Sequence, residues 1–196
     1  MATSRENKTL SQFKSTLLGG GARPNLFEVE LTTLPSGITW DAEVFRYLCK
    51  AAALPASNIA QIDVPFRGRI FKVAGDRTFD VWQITVINDE DFKIRTAFEE
   101  WMDQISKLDN NMGATDPSAY MTNATGYQLG RGSQKASTDN SGSSNAVLKE
   151  YEFVDIFPTA ISAIDLSYDT SDAIEEFTVD FQVQTFNIVG AGQPNG

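Results

Sequence analysis

A change of period at Asn88 constrains this chain more than any other feature. Before it, Trp82, Ile84 and Val86 alternate with Gln83 and Thr85. Period two in aromatic and β-branched residues is the mark of a strand. After it, Ile94, Phe98, Trp101, Ile105 and Leu108 recur at helical spacing, which puts one apolar stripe on one face of a helix. A strand running into an amphipathic helix needs a core with a sheet on one side and the helix on the other. Phe98, Trp101 and Ile105 are the residues expected to pack the helix onto that sheet. Asn88, Asp89 and Asp91 stand where a helix needs a cap and where negative charge meets the positive end of the dipole. Upstream, Arg69–Ala74 alternates with Phe71 and Val73 on one side. Gly75-Asp76 then reads as a turn, because glycine tolerates positive φ and aspartate bonds its own backbone. The segment from 69 to 108 thus predicts strand, turn, strand, cap, helix.

The rest of the chain supplies more strands. Residues 1–22 are polar and end in Gly19-Gly20-Gly21, which predicts a flexible N-terminal arm, with room for a short helix around Leu10 to Leu18. A single β domain is expected over 23–190, with a loose C-terminus over 191–196. Asn25–Leu31 alternates as the first strand. Glu43–Ala53 suits a helix or a strand equally, and Ile59–Val64 is extended up to Pro65. Residues 109–146 are rich in Asn, Ser, Thr and Gly, and such a composition buries too little to offset its ordering entropy. A long surface insertion is expected there, mobile in its second half. Val147–Phe157 reads as a strand ended by Pro158, and Ala163–Tyr168 as another. Ile174–Val189 has the clearest alternation, with Phe177, Val179, Phe181 and Val183 inward and Glu176, Thr178, Asp180 and Gln182 outward. Six or seven strands with one strong helix define a mainly β, α+β fold, an antiparallel sandwich or barrel with one packed helix. Strands this long leave exposed edges unless the sheet closes or pairs with a neighbour.

Composition narrows the chemistry. The formal charge is −10, with 16 Lys plus Arg against 26 Asp plus Glu. That balance argues against tight nucleic-acid binding by phosphate neutralisation. There is no histidine, which removes the commonest general base and metal ligand. The single cysteine, Cys49, cannot form an intrachain disulfide. No run approaches the ~20 apolar residues of a membrane span, and the N-terminus lacks the apolar centre of a signal peptide. A soluble, intracellularly made protein with no cofactor, no metal and no catalytic residue is expected. Nucleophile triads, phosphate loops and calcium loops all lack their residues or spacing. The local concentration of positive charge is Arg67, Arg69, Lys72 and Arg77, next to Asp76 and Asp80. It reads either as a patch that meets an acidic surface on another copy or as the solvated face of a hairpin.

Three segments, Ala22-Arg23-Pro24-Asn25-Leu26-Phe27, Cys49–Pro55 (CKAAALP) and Val73–Asp80 (VAGDRTFD) running on to Trp82 and Asn88-Asp89-Glu90, resemble the tail tube protein family of contractile-tailed, T4-like bacteriophages. Glu176-Phe177-Thr178-Val179 follows the same pattern. The 109–146 stretch is longer than the family's usual connection, and the N-terminal arm has no obvious counterpart. The resemblance implies a structural subunit and not an enzyme. It implies homohexameric rings stacked into a tube, with strands from each copy forming an inner β-barrel around a lumen. It also implies contacts with a tail sheath, a baseplate and a tail terminator, residence in the virion tail after assembly in the host cytoplasm, and passage of double-stranded DNA, with no membrane partner. On that reading Arg67, Arg69, Lys72, Asp76, Arg77 and Asp80 are candidate assembly contacts, and Glu176 and Asp180 are candidate lumen-facing residues. A ring protein of a related secretion or injection machine and a ligand-binding β-barrel are the alternatives.

Overall fold

The computed structural model describes residues 9–17, 21–130, 147–169 and 172–189. Its elements, in chain order, are α1 (Leu10–Thr16), β1 (Phe27–Glu30), α2 (Ala42–Leu48), β2 (Cys49–Ala52), β3 (Ser57–Phe66), β4 (Arg69–Phe79), β5 (Trp82–Ile87), α3 (Lys93–Ile105), β6 (Thr122–Leu129), β7 (Val147–Ile161), β8 (Glu176–Gln182) and β9 (Thr185–Val189). Strands follow the order β1-β6-β7-β8-β5-β2, with β9 added on β7, and all pair antiparallel. β3 and β4 pair with each other outside that path.

β7 makes this path into a sandwich. Its first part pairs with β6 and β9, and its last part with β8. Between them Asp155 takes φ 54°, and its backbone N–H donates to Asn123 Oδ1 at 3.1 Å. The register slips there, between Thr122 and Ala124, and a bulge of this kind bends its strand. The first sheet is therefore β1, β6, the start of β7 and β9. The second is the end of β7, β8, β5 and β2. Pro158 does not end the strand as expected. It lies inside β7 beside a second register shift, where the missing N–H is tolerated.

Alternation fills the space between the sheets. Trp82, Ile84 and Val86 of β5 and Phe177, Val179 and Phe181 of β8 are buried, facing Val29, Ala124 and Phe153. The Trp82 and Phe153 rings stack at 4.0 Å and tie one sheet to the other. α3 closes the core. Phe98 and Trp101 are fully buried and Ile105 is half-buried. Phe98 meets Phe181 at 5.9 Å and Trp40 at 5.5 Å. Trp101 Nε1 donates to the Tyr120 carbonyl at 2.7 Å, which satisfies the indole.

The short helix allowed for around Leu10 to Leu18 forms as α1, and Glu43–Ala53, which suited a helix or a strand, divides into α2 and β2, so three α-helices stand among the described residues. Five further expectations need correction. The N-cap of α3 is Phe92, in the left-handed region at φ 54°, with no side-chain cap bond. Asn88 and Asp91 are engaged elsewhere: Asn88 Nδ2 donates to Glu175 Oε2 at 3.1 Å, and Asp91 pairs with Lys93, whose hydrogen bond lowers the Asp91 carboxyl below its usual range. Leu108 lies beyond the helix end and is exposed. The polar stretch 109–146 is not wholly an insertion, since β6 sits within the first sheet between β1 and β7; residues 131–146 lie outside the described ones. Ala163–Tyr168 forms no strand, and Ile174–Val189 is two strands, broken at Val183-Gln184 so that β8 and β9 serve different sheets.

Candidate assembly surface

β3 and β4 form a ribbon that stands apart from the sandwich. Their register runs from Ser57↔Phe79 at the foot to Phe66↔Arg69 at the tip. The tip turn is Arg67-Gly68, with φ of 45° and 81°. Two positive φ angles in a two-residue loop give the mirror-image turn whose twist suits a hairpin. Gly75, read above as a turn, is instead inside β4. The register shifts between Ile59 and Gln61 across from it. A Cβ on Gly75 would approach the Ala60 carbonyl oxygen to 3.0 Å, so the bulge leaves no room for a side chain. The hairpin predicted between 69–74 and 80–87 therefore does not form: β4 pairs with β3, and β5 pairs with β2 and β8.

The register sorts the ribbon's side chains. Ile62↔Val73, Val64↔Phe71 and Phe66↔Arg69 are opposed pairs, and opposed residues in an antiparallel pair share a face. One face thus carries Ile62, Val64, Phe66, Phe71 and Val73, which are between 41% and 66% exposed. The other carries Asp63↔Lys72, Gln61↔Ala74 and Pro65↔Ile70. A core strand with this alternation would bury its apolar face. Here that face stays largely exposed among the described residues.

The expected charge cluster maps onto this ribbon. Arg67, Arg69, Lys72, Asp76 and Arg77 are all in its second strand or tip, and Asp80 follows directly. They do not act as one patch. Lys72 is paired with Asp63 at 3.1 Å on the polar face. Arg67 lays its guanidinium over the Phe66 ring at 5.5 Å. Asp80 accepts from Asn58 Nδ2 at 2.8 Å. Arg69 lies on the apolar face near the tip, opposite Phe66, while Arg77 lies near the foot on the other face, opposite Ile59, and no ion pair among the described residues includes either. An apolar centre with charge at its rim is the anatomy of a protein–protein contact.

Glu176 and Asp180 sit elsewhere, on the outer face of the second sheet, opposite the buried Phe177, Val179 and Phe181. Glu176 pairs with Lys50. Asp180 Oδ1 accepts from Gln83 Nε2 at 2.7 Å. Thr85 and Thr178 are opposed between them. This face is built of hydroxyls and amides, an ion pair and one further carboxylate. The outer face of the first sheet is more acidic, with Glu28, Glu30, Glu150 and Glu152 brought together by register. Arg46 meets Glu28 at 2.9 Å and Glu30 at 2.7 Å. Tyr127 Oη donates to Glu30 Oε2 at 3.2 Å, and partial burial, then Glu30 and Glu150, raise the Tyr127 pKa.

Among the described residues no group of three or more His, Cys, Asp or Glu could hold a metal. A notch lined by Phe27, Val29, Leu54, Trp82, Tyr127 and Phe153 holds about 20 Å³, room for a single water. Cys49 is buried, and burial pushes its thiol up to about 12, the opposite of an activated nucleophile.

The sequence shows the ribbon's arginines and puts Phe71 and Val73 on one side of a strand, but its Gly75-Asp76 signal sets the turn in the wrong place. The signal that would have corrected it is the symmetry about Arg67-Gly68. Ile62, Val64 and Phe66 before the turn mirror Phe71 and Val73 after it, and only a hairpin turning there opposes them.

A family profile described as "Phage tail tube protein" matches residues 22–189. The chain is 35% identical over 161 residues to the tail tube protein gp19 of Enterobacteria phage T4, spanning 82% of this chain and 88% of that relative. It is 23% identical over 177 residues to the tail tube protein of Serratia phage KSP90, spanning 89% and 93%. Among solved structures, a chain of the anti-feeding prophage baseplate superposes with a TM-score of 0.62 at 10% identity, covering 88% of this chain and 98% of that one. A chain of the cap that terminates the same prophage's tube superposes with a TM-score of 0.57 at 15% identity, covering 97% and 100%. At these identities the two structures share the fold.

Proposed function

The chain belongs to the phage tail tube protein family, and from that membership we propose how it builds and lines the tube. It is a structural subunit of the virion tail. Copies form homohexameric rings, and rings stack into the inner tube. The observation that carries this is the ribbon, whose apolar face is exposed in the protomer, with Arg69 on that face near the tip and Arg77 near the foot on the other side. Monomeric proteins rarely leave such a contiguous patch uncovered. A second copy covers it in the tube, with Arg67, Asp76 and Asp80 at the edge of the contact and Lys72 holding the ribbon's polar face to Asp63.

The second sheet supplies the lining. Among the described residues its outermost strands are β2, four residues long, and the end of β7. Their free edges pair between copies, which removes the edge problem by closure. Six copies lending four strands each, about 4.8 Å apart, give a circumference of roughly 115 Å and a bore of roughly 37 Å between backbones. A double helix fits inside it. The lumen-facing side is then the outer face with Glu176, Asp180, Gln83, Thr85 and Thr178. Duplex DNA carries a charge every ~1.7 Å of axis. A basic wall would gain counterion-release free energy at every step and hold the DNA. A neutral to weakly acidic wall does not, and repels it only within a Debye length of about 10 Å, so the DNA slides during ejection.

The sheath, baseplate and terminator are the other partners, and assembly takes place in the host cytoplasm. The use of the same fold in an injection machine is the second reading. The 35% identity to a phage tail protein, against 12% to a solved chain of an extracellular contractile injection system, favours the phage tail. The test is electron microscopy of the purified protein with its baseplate. Stacked rings around a lumen are expected. Protein that stays monomeric at every concentration would sink the proposal.

A further inference from the structure

A second element of the protomer exposes an apolar stripe. α1 buries none of its residues, yet its sequence insists on a helix. Thr9 and Gln12 form a complete capping box, with Gln12 N–H donating to Thr9 Oγ1 at 3.3 Å and Thr9 N–H donating to Gln12 Oε1 at 3.0 Å. A seven-residue helix is not stable alone in water, so the capping encodes a conformation that a partner must complete. Leu10, Phe13 and Leu17 fall at i, i+3 and i+7, one face of the helix and its C-cap, and are 69%, 61% and 45% exposed. Lys14 is the helix's charged residue and borders the stripe at i+4 from Leu10.

We propose that α1 of one copy docks on the apolar face of the β3–β4 ribbon of a second copy. This rests on the reading of the ribbon as an assembly surface. The two faces match in length, since Leu10 to Leu17 spans about 10 Å at 1.5 Å per residue and Ile62 to Phe66 about 14 Å at 3.4 Å per residue. They match in charge, because Leu10, Phe13 and Leu17 and the centre of the ribbon face carry no ionisable group, while Lys14 and Arg69 stand at the borders, where long side chains keep their charged ends in water. Ile59 and Ile70 are exposed on the ribbon's other face, with the Asp63–Lys72 pair between them; other exposed large apolar residues, such as Tyr47, Phe92, Leu108 and Ile174, are scattered, and no other helix among the described residues presents three on one face. Both faces stay exposed in the protomer, so they do not cover each other within one chain. A two-stranded ribbon is marginal by itself and gains stability by packing against a helix. Three side chains are too few to hold two free protomers together against the ~800 Å² per partner of a stable interface. The helix therefore docks within the larger contact between copies and ties neighbours together without adding to the lumen.

The test uses two full-length variants, Phe13→Cys and Phe71→Cys. Native Cys49 is buried and does not compete. The variants are mixed, assembled, verified as tubes by electron microscopy and exposed to a mild oxidant. The expected result is a disulfide-linked pair in the mixture and none with either variant alone. A second pairing, Leu10→Cys with Val73→Cys, repeats the measurement in case one geometry is unfavourable. Well-formed tubes with no cross-link from either pairing overturn the docking and leave the tube reading standing. An intrachain bond in the Phe13→Cys/Phe71→Cys double variant at protomer concentration also overturns it, because the helix would then cover its own ribbon. Failure of the native chain to assemble under the same conditions overturns both readings together.

Discussion

Replacing Phe71 by alanine separates assembly from folding. Phe71 is 66% exposed in the protomer, so only about a third of its surface is already covered by its own ribbon. Burying a phenylalanine fully is worth about 1.5–3 kcal/mol. Two thirds of that, about 1–2 kcal/mol, appears only when a second copy covers the ribbon, which is about 5- to 30-fold in the equilibrium constant of each contact. The protomer itself should lose little, within about 0.5 kcal/mol, as for other surface changes. Two measurements read the two terms. Urea unfolding at a concentration below assembly gives the protomer, and the concentration at which sedimenting material first forms gives the contact. The reasoning predicts a nearly unchanged urea midpoint and an assembly threshold raised by 5-fold or more. A lowered midpoint with an unchanged threshold would mean that Phe71 packs inside the protomer and that the ribbon is no contact surface.

Reversing charge at the ribbon's ends, Arg69→Glu or Arg77→Glu, should impair tube formation more than it lowers the protomer's melting temperature; tubes of normal yield from both would reduce these arginines to solvated side chains. Phe98→Ala should behave in the opposite way. It removes a fully buried ring from between α3 and β8 and should cost about 3–5 kcal/mol in protomer unfolding. Cys49 supplies a pH dependence. Burial raises its folded pKa from 9.0 to about 12, so its contribution is fully present below pH ~9 and is lost as pH rises towards ~12, at up to about 1.4 kcal/mol per pH unit. Urea midpoints of the native chain and of Cys49→Ala should therefore converge over that window, and a constant difference would show that the thiol is not desolvated. The double change Glu176→Lys with Asp180→Lys should leave tubes intact but slow DNA ejection in a salt-dependent way, whereas ejection at the native rate would remove this face from the lumen.

How much of this was written in the sequence depends on whether the signal was local. The β5 alternation and the α3 stripe need only neighbours a few residues away to be read, and both sit in the core where the periods put them. The ribbon shows the limit. Hydrophobic alternation reports that a strand has two unlike faces, not what covers the apolar one, so Phe71 and Val73 could be put on one side but not on an exposed surface. Its turn was missed because the tip uses Arg67 in the left-handed region, where Asn or Asp is usual, while Gly75 offered a more familiar signal. β6 was hidden for a different reason. Its inward residues include Ala124 and Gly126, small enough to lie under Phe153, whose ring would stand 3.4 Å from a Cβ at Gly126. A strand that contributes space rather than bulk carries little hydrophobic signal. The α3 cap failed because Phe92 adopts φ 54°, a strained conformation that composition does not announce. Of the candidate site residues, the charged ones were visible as a cluster, but their division between two ribbon faces follows from the Arg67-Gly68 turn, which sets the register of Arg69 and Lys72, and from the β4 bulge opposite Ala60, which sets that of Arg77.

Amide hydrogen exchange over residues 57–79, compared between dilute protomer and assembled tubes, tests the central claim most directly. In the protomer the ribbon's backbone bonds join only β3 to β4 and lie open to solvent, and such units open with little free energy. The account predicts fast exchange across 57–79 in the protomer and strong slowing on assembly. Rates there that stay the same in tubes would contradict it, because a ribbon still open to water in the finished tube cannot be what holds one copy to the next.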